Sequence, residues 1–434
     1  MRRSQIIGSA VALALTAGLA SMPLLAGAND SGSSRSASAS SRRTLDDEVH
    51  LNQIQMVGSH NSYHLLPSQA EVDLRNSFIG DADQGLEYRH APLPVQFQSQ
   101  KVRQIELDVF LDAAGGKYAK PLLRTAAGVG AYDPVMDQPG IKVLHVQDVD
   151  YASTCLTLNA CLTQVKGWSD ANPLHAPIAI LIELKDDDVP FPGFTFVHPE
   201  PFNVAAMDTL DAEIRSVMGP DDLITPDDIR GAHPTLSEAV TTDGWPTLGA
   251  SRGKIMFLMD NAGSYRTRYL NGHPNLEGRV MFTNATAGAP DAAFVQHNNA
   301  SDVALIQDLV QQGYVVRTRA DSDTNEARAN DTTKRDNAFL SGAQWVSTDY
   351  PVPGWAIGFT SPYFAEIPGG TVARCNPVNA PKSCVSAEID KIYDPVAPPS
   401  TSTTTTLVPT TTVPGKVNDA SGAVAVPGTA SYTG

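Results

Sequence analysis

Eight short apolar runs, separated by longer stretches of helical or irregular pattern, constrain the fold of this chain more than any other feature. They are Ile54 to Gly58, Val102 to Phe110, Ile141 to Val146, Ile178 to Leu184, Lys254 to Met259, Arg279 to Thr283, Tyr314 to Arg319 and Gln344 to Thr348. Runs this short suit strands rather than helices, and their largely continuous apolar character suits strands covered on both faces. Asn203 to Met218, Asp302 to Gln312 and Thr324 to Leu340 read as helical stretches, the first and last with apolar residues at helical spacing. Strands alternating with helices predict an α/β fold with a parallel sheet, here a (β/α)8 TIM-like barrel with room for distortion. Roughly 350 residues without a break in composition is long for one domain, but α/β barrels commonly exceed ~250 residues as a unit.

The ends read differently. Arg2 and Arg3 precede an apolar stretch from Ile6 to Leu25 that closes in Ala26-Gly27-Ala28, which predicts a signal peptide over 1–28. Residues 29–44, rich in Ser and Arg, read as a disordered leader, and 395–434, rich in Pro, Thr and Ser, as a disordered tail. That leaves 45–394 as the folded domain. No later segment approaches the ~18 uninterrupted apolar residues of a spanning helix, so a secreted, monomeric chain without a transmembrane segment is expected. The four cysteines form two local pairs, Cys155 with Cys161 and Cys375 with Cys384. Export permits disulfides; three connectivities are possible, and the local pairs are the simplest. A zinc site is disfavoured, because neither pair has C-x2-C spacing and no His lies close to either.

Charge excludes some partners. The formal net charge is −16, and removing the signal peptide with Arg2 and Arg3 makes it more negative. An acidic chain without a basic stripe is unsuited to nucleic acid and to a general grip on anionic membranes. A phosphate-ester substrate would need positive charge supplied locally, by a metal or a few Arg.

Several runs end in an ionisable or amide residue: His60-Asn61, Glu106-x-Asp108, His145, Glu183 and Asp349. In a (β/α)8 barrel, catalytic groups project from the C-terminal ends of the strands. Glu106 and Asp108, two apart on a strand, share one face, and two buried charges on one side are costly unless neutralised. A salt bridge does that; so does a divalent cation, which suits two hard oxygen donors with an amide carbonyl nearby. Singly, each element has a structural reading: a turn at His60-Asn61, a satisfied core His145, a Glu183–Lys185 ion pair. Asp148-x-Asp150, Asp186 to Asp188 and Asp321-x-Asp323 lack the spacing of an EF-hand and read as solvated loop charge.

Taken in order, however, His60, Asn61, Glu106, Asp108, His145 and Glu183 resemble the catalytic domain of calcium-dependent phosphoinositide-specific phospholipases C. The similarity takes in the secreted bacterial forms and the X region of the eukaryotic enzymes, and covers about residues 45 to 365. It extends through Val316-Arg317-Thr318-Arg319-Ala320-Asp321 and Val346-Ser347-Thr348-Asp349-Tyr350-Pro351. The resemblance implies Ca2+ held by Asn61, Glu106, Asp108 and Glu183. It implies attack of the inositol 2-hydroxyl on phosphorus in a phospholipid at a membrane surface, with diacylglycerol leaving and a cyclic inositol phosphate remaining. His60 would contact the phosphoryl oxygens, His145 would protonate the leaving oxygen, and Glu106 or Glu183 would be the base.

Lys185, Arg317 and Arg319 are candidates to grip phosphate or inositol, although pairing of the two Arg with Asp349 explains them equally well. Metal-independent relatives use an Arg where calcium would sit, so Asn61 with Glu106 and Asp108 points to the metal-dependent branch. One rival is a glycerophosphodiester phosphodiesterase or sphingomyelinase D-like enzyme, which His145-x-x-Asp148 would suit but Asn61 would not. A rival of another class is a non-catalytic secreted binding module. Phe191, Phe194, Phe196 and Trp245 are read as core rather than lipid contacts.

Overall fold

The computed structural model describes residues 44–189, 194–356 and 358–393. The expected signal peptide, the leader up to residue 43, Phe191 and the tail from 395 lie outside them.

Eight parallel strands form the frame: β1 Ile54–Ser59, β2 Val102–Phe110, β3 Ile178–Leu184, β4 Ile255–Met259, β5 Met281–Phe282, β6 Phe294–Gln296, β7 Val315–Arg319 and β8 Trp345–Thr348. Each pairs in parallel with its neighbour from β1 through β5, and again from β6 through β8 back to β1. Between β5 and β6 the ladder narrows to one bridge, Asn284 with Phe294. The connection 283–293 contains no helix of its own. The Asn284 side chain takes over there: its Nδ2 donates to the Asp260 carbonyl at 2.9 Å, and its Oδ1 accepts from the Gln296 N–H at 3.1 Å. The result is a distorted TIM-like barrel, as expected from the pattern.

Its membership differs from the expectation in three places. Ile141 to Val146 is not a stave. Only Lys142–Val143 is extended, and it pairs antiparallel with the end of β2, at Val109 and Phe110. β1 stops pairing with β2 at Gln104, which leaves that edge of β2 open for this piece to fill. The missing stave is β6, whose three residues are too short to stand out as an apolar run. Third, Thr324 to Leu340 is two helices, Asn325–Ala329 and Thr333–Leu340, interrupted at Asn330 with φ 52°, a left-handed conformation that ends a helix.

Helices cover the barrel through one apolar face each. In Leu158–Ala171 the buried residues Leu158, Cys161, Leu162, Val165 and Trp168 recur every three or four positions, and the Thr157 side chain caps the first turn by accepting from the Ala160 N–H. Among the described residues no helix is long and apolar enough to cross a membrane. Both local cysteine pairs are bonded, Cys155 to Cys161 and Cys375 to Cys384. The second closes the loop behind a short strand, Ala373–Cys375, that pairs antiparallel with the start of β1.

The Gln104 side chain of β2 fills the space beside Gly58 on β1. A Cβ there would lie 1.9 Å from Gln104 Oε1, the atom that accepts a 2.5 Å hydrogen bond from Ser347 Oγ. Gly58→Ala must therefore displace Gln104 and break that link to β8. We expect destabilisation of about 1–3 kcal/mol, read as a lowered denaturation midpoint; an unchanged midpoint would show the contact to be compliant.

Candidate active site

The turn after β1 is fixed from several directions. The His60 N–H continues the ladder to the Thr348 carbonyl at 3.2 Å, which sets His60 beside Asp349 at the end of β8. Ser62 locks the far side: its N–H donates to the Glu106 carbonyl at 2.9 Å, and its Oγ accepts from the Glu106 N–H at 2.8 Å. Asn61 sits between them at φ 44°. Asn tolerates that left-handed region better than most residues, so this residue type has a backbone reason as well as a chemical one.

His60 Nδ1 lies 2.9 Å from Asp349 Oδ1. An ionised carboxylate only accepts, so Nδ1 carries the proton and Nε2 presents a lone pair. Burial and the nearby Arg319 hold the imidazole well below its ordinary range, against the pull of Asp349. Burial pushes the Asp349 carboxyl up, but the His60 ring, its hydrogen bond, His90 and Arg319 outweigh it and hold it well below the usual carboxylate range. The pair is thus a neutral imidazole against an anion. Asp321 supports it from beneath, accepting from the Asp349 N–H at 2.9 Å.

A second His–Asp pair has its imidazole lining the same cavity as His60. His145 follows the Lys142–Val143 strand, and its Nδ1 lies 2.7 Å from Asp150 Oδ2. Asp150 is fully buried and also contacts His64 Nε2 at 2.9 Å and Arg75 Nη1 at 3.0 Å. Burial pushes its carboxyl up, but His64 and His145 outweigh that and hold it well below its ordinary value. His64 is itself fixed, stacked on Tyr88 with ring centroids 4.3 Å apart. His60 and His145, 17% and 20% exposed, line one cavity of about 440 Å3 together with Tyr88, Arg319 and Asp349.

Beside them lies a carboxylate cluster. Register sets Asp108 of β2 directly opposite Glu183 of β3, and Glu106 stands one pleat below on the same face. One oxygen from each of the three lies within 4.8 Å of the others. Lys185 Nζ reaches Glu183 Oε1 at 2.7 Å and Asp108 Oδ2 at 3.1 Å, and Arg317 Nη2 reaches Glu106 Oε2 at 2.5 Å. The balance still favours negative charge. Burial, against Arg317 and with Asp260 adding repulsion, pushes Glu106 up to about 7. Burial, opposed by Lys185 and reinforced by Glu183 and Glu106, pushes Asp108 well above the carboxylate range.

This makes a pH prediction for the metal-free protein. Glu106 moves from 4.5 to about 7 on folding, so the folded state holds its proton more tightly than the unfolded state. Its contribution is fully present below about 4.5 and is lost as pH rises through about 7. In chelator, the wild-type denaturation midpoint should fall over that window relative to Glu106→Gln; parallel curves would contradict it.

A sequence model described as phosphoinositide phospholipase C, Ca2+-dependent, matches residues 49–377, three quarters of the chain. The chain belongs to this family. No curated protein matches it by sequence. Solved structures that resemble it include the calcium-dependent phosphoinositol-specific phospholipase C of a Gram-negative Pseudomonas sp. in its apo form, at 16% identity and a TM-score of 0.48, covering 75% of this chain and 95% of that one. The myo-inositol complex of the Pseudomonas protein matches at 16% identity and 0.47, covering 76% and 96%. The calcium-dependent phosphatidylinositol-specific phospholipase C of Streptomyces antibioticus matches at 18% and 0.43, covering 70% and 95%.

The family depends on calcium, and the donors here fit a hard cation. Asn61 Nδ2 donates to the Tyr88 hydroxyl at 2.9 Å, which leaves Oδ1 buried with no hydrogen bond. Neither Asp108 oxygen accepts a hydrogen bond, although Lys185 lies near one of them. Buried oxygens without donors are costly and are what a Ca2+ ligand set requires.

Of the residues singled out in the sequence, His60, Asn61, Glu106, Asp108, His145 and Glu183 converge on this rim. Lys185 lies within the carboxylate cluster. All three terminal nitrogens of Arg317 are engaged, by Ser347, Asn298 and Glu106. Arg319 lines the cavity with Nη2 on Asp349 at 3.2 Å and its Nε unbonded. Reading Asp148, Asp150 and Asp321 as solvated loop charge was mistaken: all three are buried. Asp148 is a loop anchor, accepting from the N–H groups of Leu122 at 2.9 Å and Val197 at 2.6 Å. Neither Asp150 nor His64 ends an apolar run, so nothing in the sequence marks them as partners of His145.

Proposed function

We propose that this chain cleaves phosphatidylinositol to diacylglycerol and a cyclic inositol phosphate, with the inositol 2-hydroxyl as nucleophile. The observation that carries this reading is the pair of imidazoles, each held through Nδ1 by a buried aspartate, sharing one cavity beside the carboxylate cluster. A cavity of about 440 Å3 is the size of a small-molecule site and matches a single sugar phosphate better than a polymer.

In this proposal Asn61, Glu106, Asp108 and Glu183 hold Ca2+, which when bound lowers the pKa of a hydroxyl and offsets charge on a phosphate oxygen. His60, neutral with its lone pair on Nε2, suits acceptance of the 2-hydroxyl proton, which moves the base from the carboxylates named by the resemblance to this ring. Asp150 holds His145 through Nδ1, so the proton that the departing glycerol oxygen takes up would come from Nε2 of a His145 that enters the step as imidazolium and leaves it neutral. Arg319, which lines the cavity while Arg317 and Lys185 do not, is the phosphate contact we favour over those two. Attack within one molecule benefits from high effective molarity, so positioning of the inositol by the cavity wall is itself catalytic.

Two disulfides are compatible with an oxidising compartment, and we propose that the protein acts outside the cell. Against the glycerophosphodiesterase rival stands Asp148, whose oxygens are taken up by backbone N–H groups rather than by His145. The test is a 31P spectrum of products from phosphatidylinositol. A cyclic phosphate signal is expected at early times, and its absence while the lipid is consumed would sink the proposal.

A further inference from the structure

Phe194 and Phe196 have no part in the chemistry above, yet they are not packed in the barrel core as Trp245 is. They line an apolar slot of about 50 Å3 with Leu74, Phe78, Leu86 and Leu123. Phe78 and Phe194 meet edge to face with centroids 5.0 Å apart, and Phe78 remains 51% exposed at the surface. An exposed aromatic at the mouth of a carbon-lined slot marks a place where an apolar group can leave water.

The slot is joined to the active site by two routes. Leu86 lines both the slot and the cavity that holds His60 and His145. Arg75 and Val149 also line the slot, and Arg75 Nη1 donates to the Val149 carbonyl at 3.1 Å and to Asp150 Oδ1 at 3.0 Å. Asp150 in turn holds His145 Nδ1 at 2.7 Å. The slot therefore abuts the His145 side of the site, and none of Glu106, Asp108 and Glu183 lines it. That is the side on which, in the proposed reaction, the glycerol oxygen departs with its acyl chains attached.

We propose that the slot receives the glycerol-proximal methylenes of one acyl chain of the bound phospholipid. This deepens the reading of the chain as a phosphatidylinositol-cleaving enzyme and rests on it. A water-sized group needs at least ~10–15 Å3 of such space, so a slot of about 50 Å3 admits at most about four methylenes. The remainder of the chain passes out beside Phe78.

The test uses dispersed, sub-micellar phosphatidylinositols whose acyl chains run from about two to about eight carbons, with glycerophosphoinositol as the acyl-free reference. Each buried methylene contributes ~0.8 kcal/mol, so kcat/KM relative to that reference should rise about fourfold per methylene over at most about four positions, then flatten. Two substitutions at exposed positions of the slot wall, which leave the core untouched, should weaken the rise: Ala126→Phe by filling the slot and Phe78→Ala by removing its rim. A flat profile in an active wild-type enzyme overturns the slot, as does an undiminished slope in both variants. Variants that lose activity only on vesicles, with the monomer slope intact, assign these residues to the bilayer surface and likewise overturn it. A wild-type enzyme that cleaves no phosphatidylinositol of any length removes the underlying functional reading, and the slot with it.

Discussion

Replacing His60 with alanine is expected to lower turnover of phosphatidylinositol by about 10³-fold with the fold intact, as loss of a general acid–base group commonly costs ~10²–10⁴. The ring is partly exposed in the cavity, and its side chain is tied to one partner, Asp349, so its removal leaves a space that water can enter. Asp349 keeps Arg319 at 3.2 Å and is not left as an isolated buried charge. A sharper variant is Asp349→Asn. An amide at that position can donate to Nδ1, which drives the proton to Nε2 and removes the lone pair that the proposed base needs. The same inversion of a His–Asp pair in serine proteases lowers kcat by ~10⁴, and a comparable loss is expected here. Both are read from initial rates of diacylglycerol release beside a thermal melt. Turnover within tenfold of wild type in His60→Ala, with a normal melt, would remove this ring from the chemistry.

Calcium removal should have the second large effect. A chelator is expected to abolish turnover reversibly, and added Ca2+ should raise the denaturation midpoint. Binding to the folded state alone stabilises by ~2.7 kcal/mol at a hundredfold excess over Kd, which amounts to several degrees for a chain of this size. The structural source is the set of buried oxygens on Asn61 and Asp108 that have no hydrogen-bond donor. Asn61 needs a careful control because its φ of 44° also constrains the residue type. Asn61→Gly keeps that backbone conformation and deletes the oxygen, whereas Asn61→Ala would mix strain with lost ligation. The glycine variant should melt near wild type in chelator and show a calcium-induced rise only at about tenfold higher concentration or more. Full activity in chelator would eliminate the calcium assignment.

Much of the barrel could be read from the chain because a strand covered on both faces leaves a continuous apolar run, as in Ile178 to Leu184. β6 could not, since three residues preceded by a helix-free connection leave no run to see. Ile141 to Val146 misled for the opposite reason: Ile141, Val143 and Leu144 are buried, but beside a short piece that extends the edge of β2 rather than forming a stave. The polar residues that end strands were legible because an ionisable group closing an apolar run is costly without a purpose. Asp150 and His64 lie in loops, where charge is ordinary, and nothing local marks them as buried.

The order of chemistry along the chain, His60-Asn61, then Glu106-x-Asp108, then His145, then Glu183, was determined by sequence alone, and with it the family. So was the shared face of Glu106 and Asp108, because side chains two apart on a strand project the same way. Which groups touch was decided by tertiary structure. The register of β2 against β3 sets Asp108 opposite Glu183, and that of β1 against β8 carries His60 onto Asp349. A turn with Asp148 at φ 71° brings Asp150 back behind His145. Strand register and turn geometry depend on packing between segments far apart in the chain, and a shift of one residue would send every one of these side chains to the opposite face.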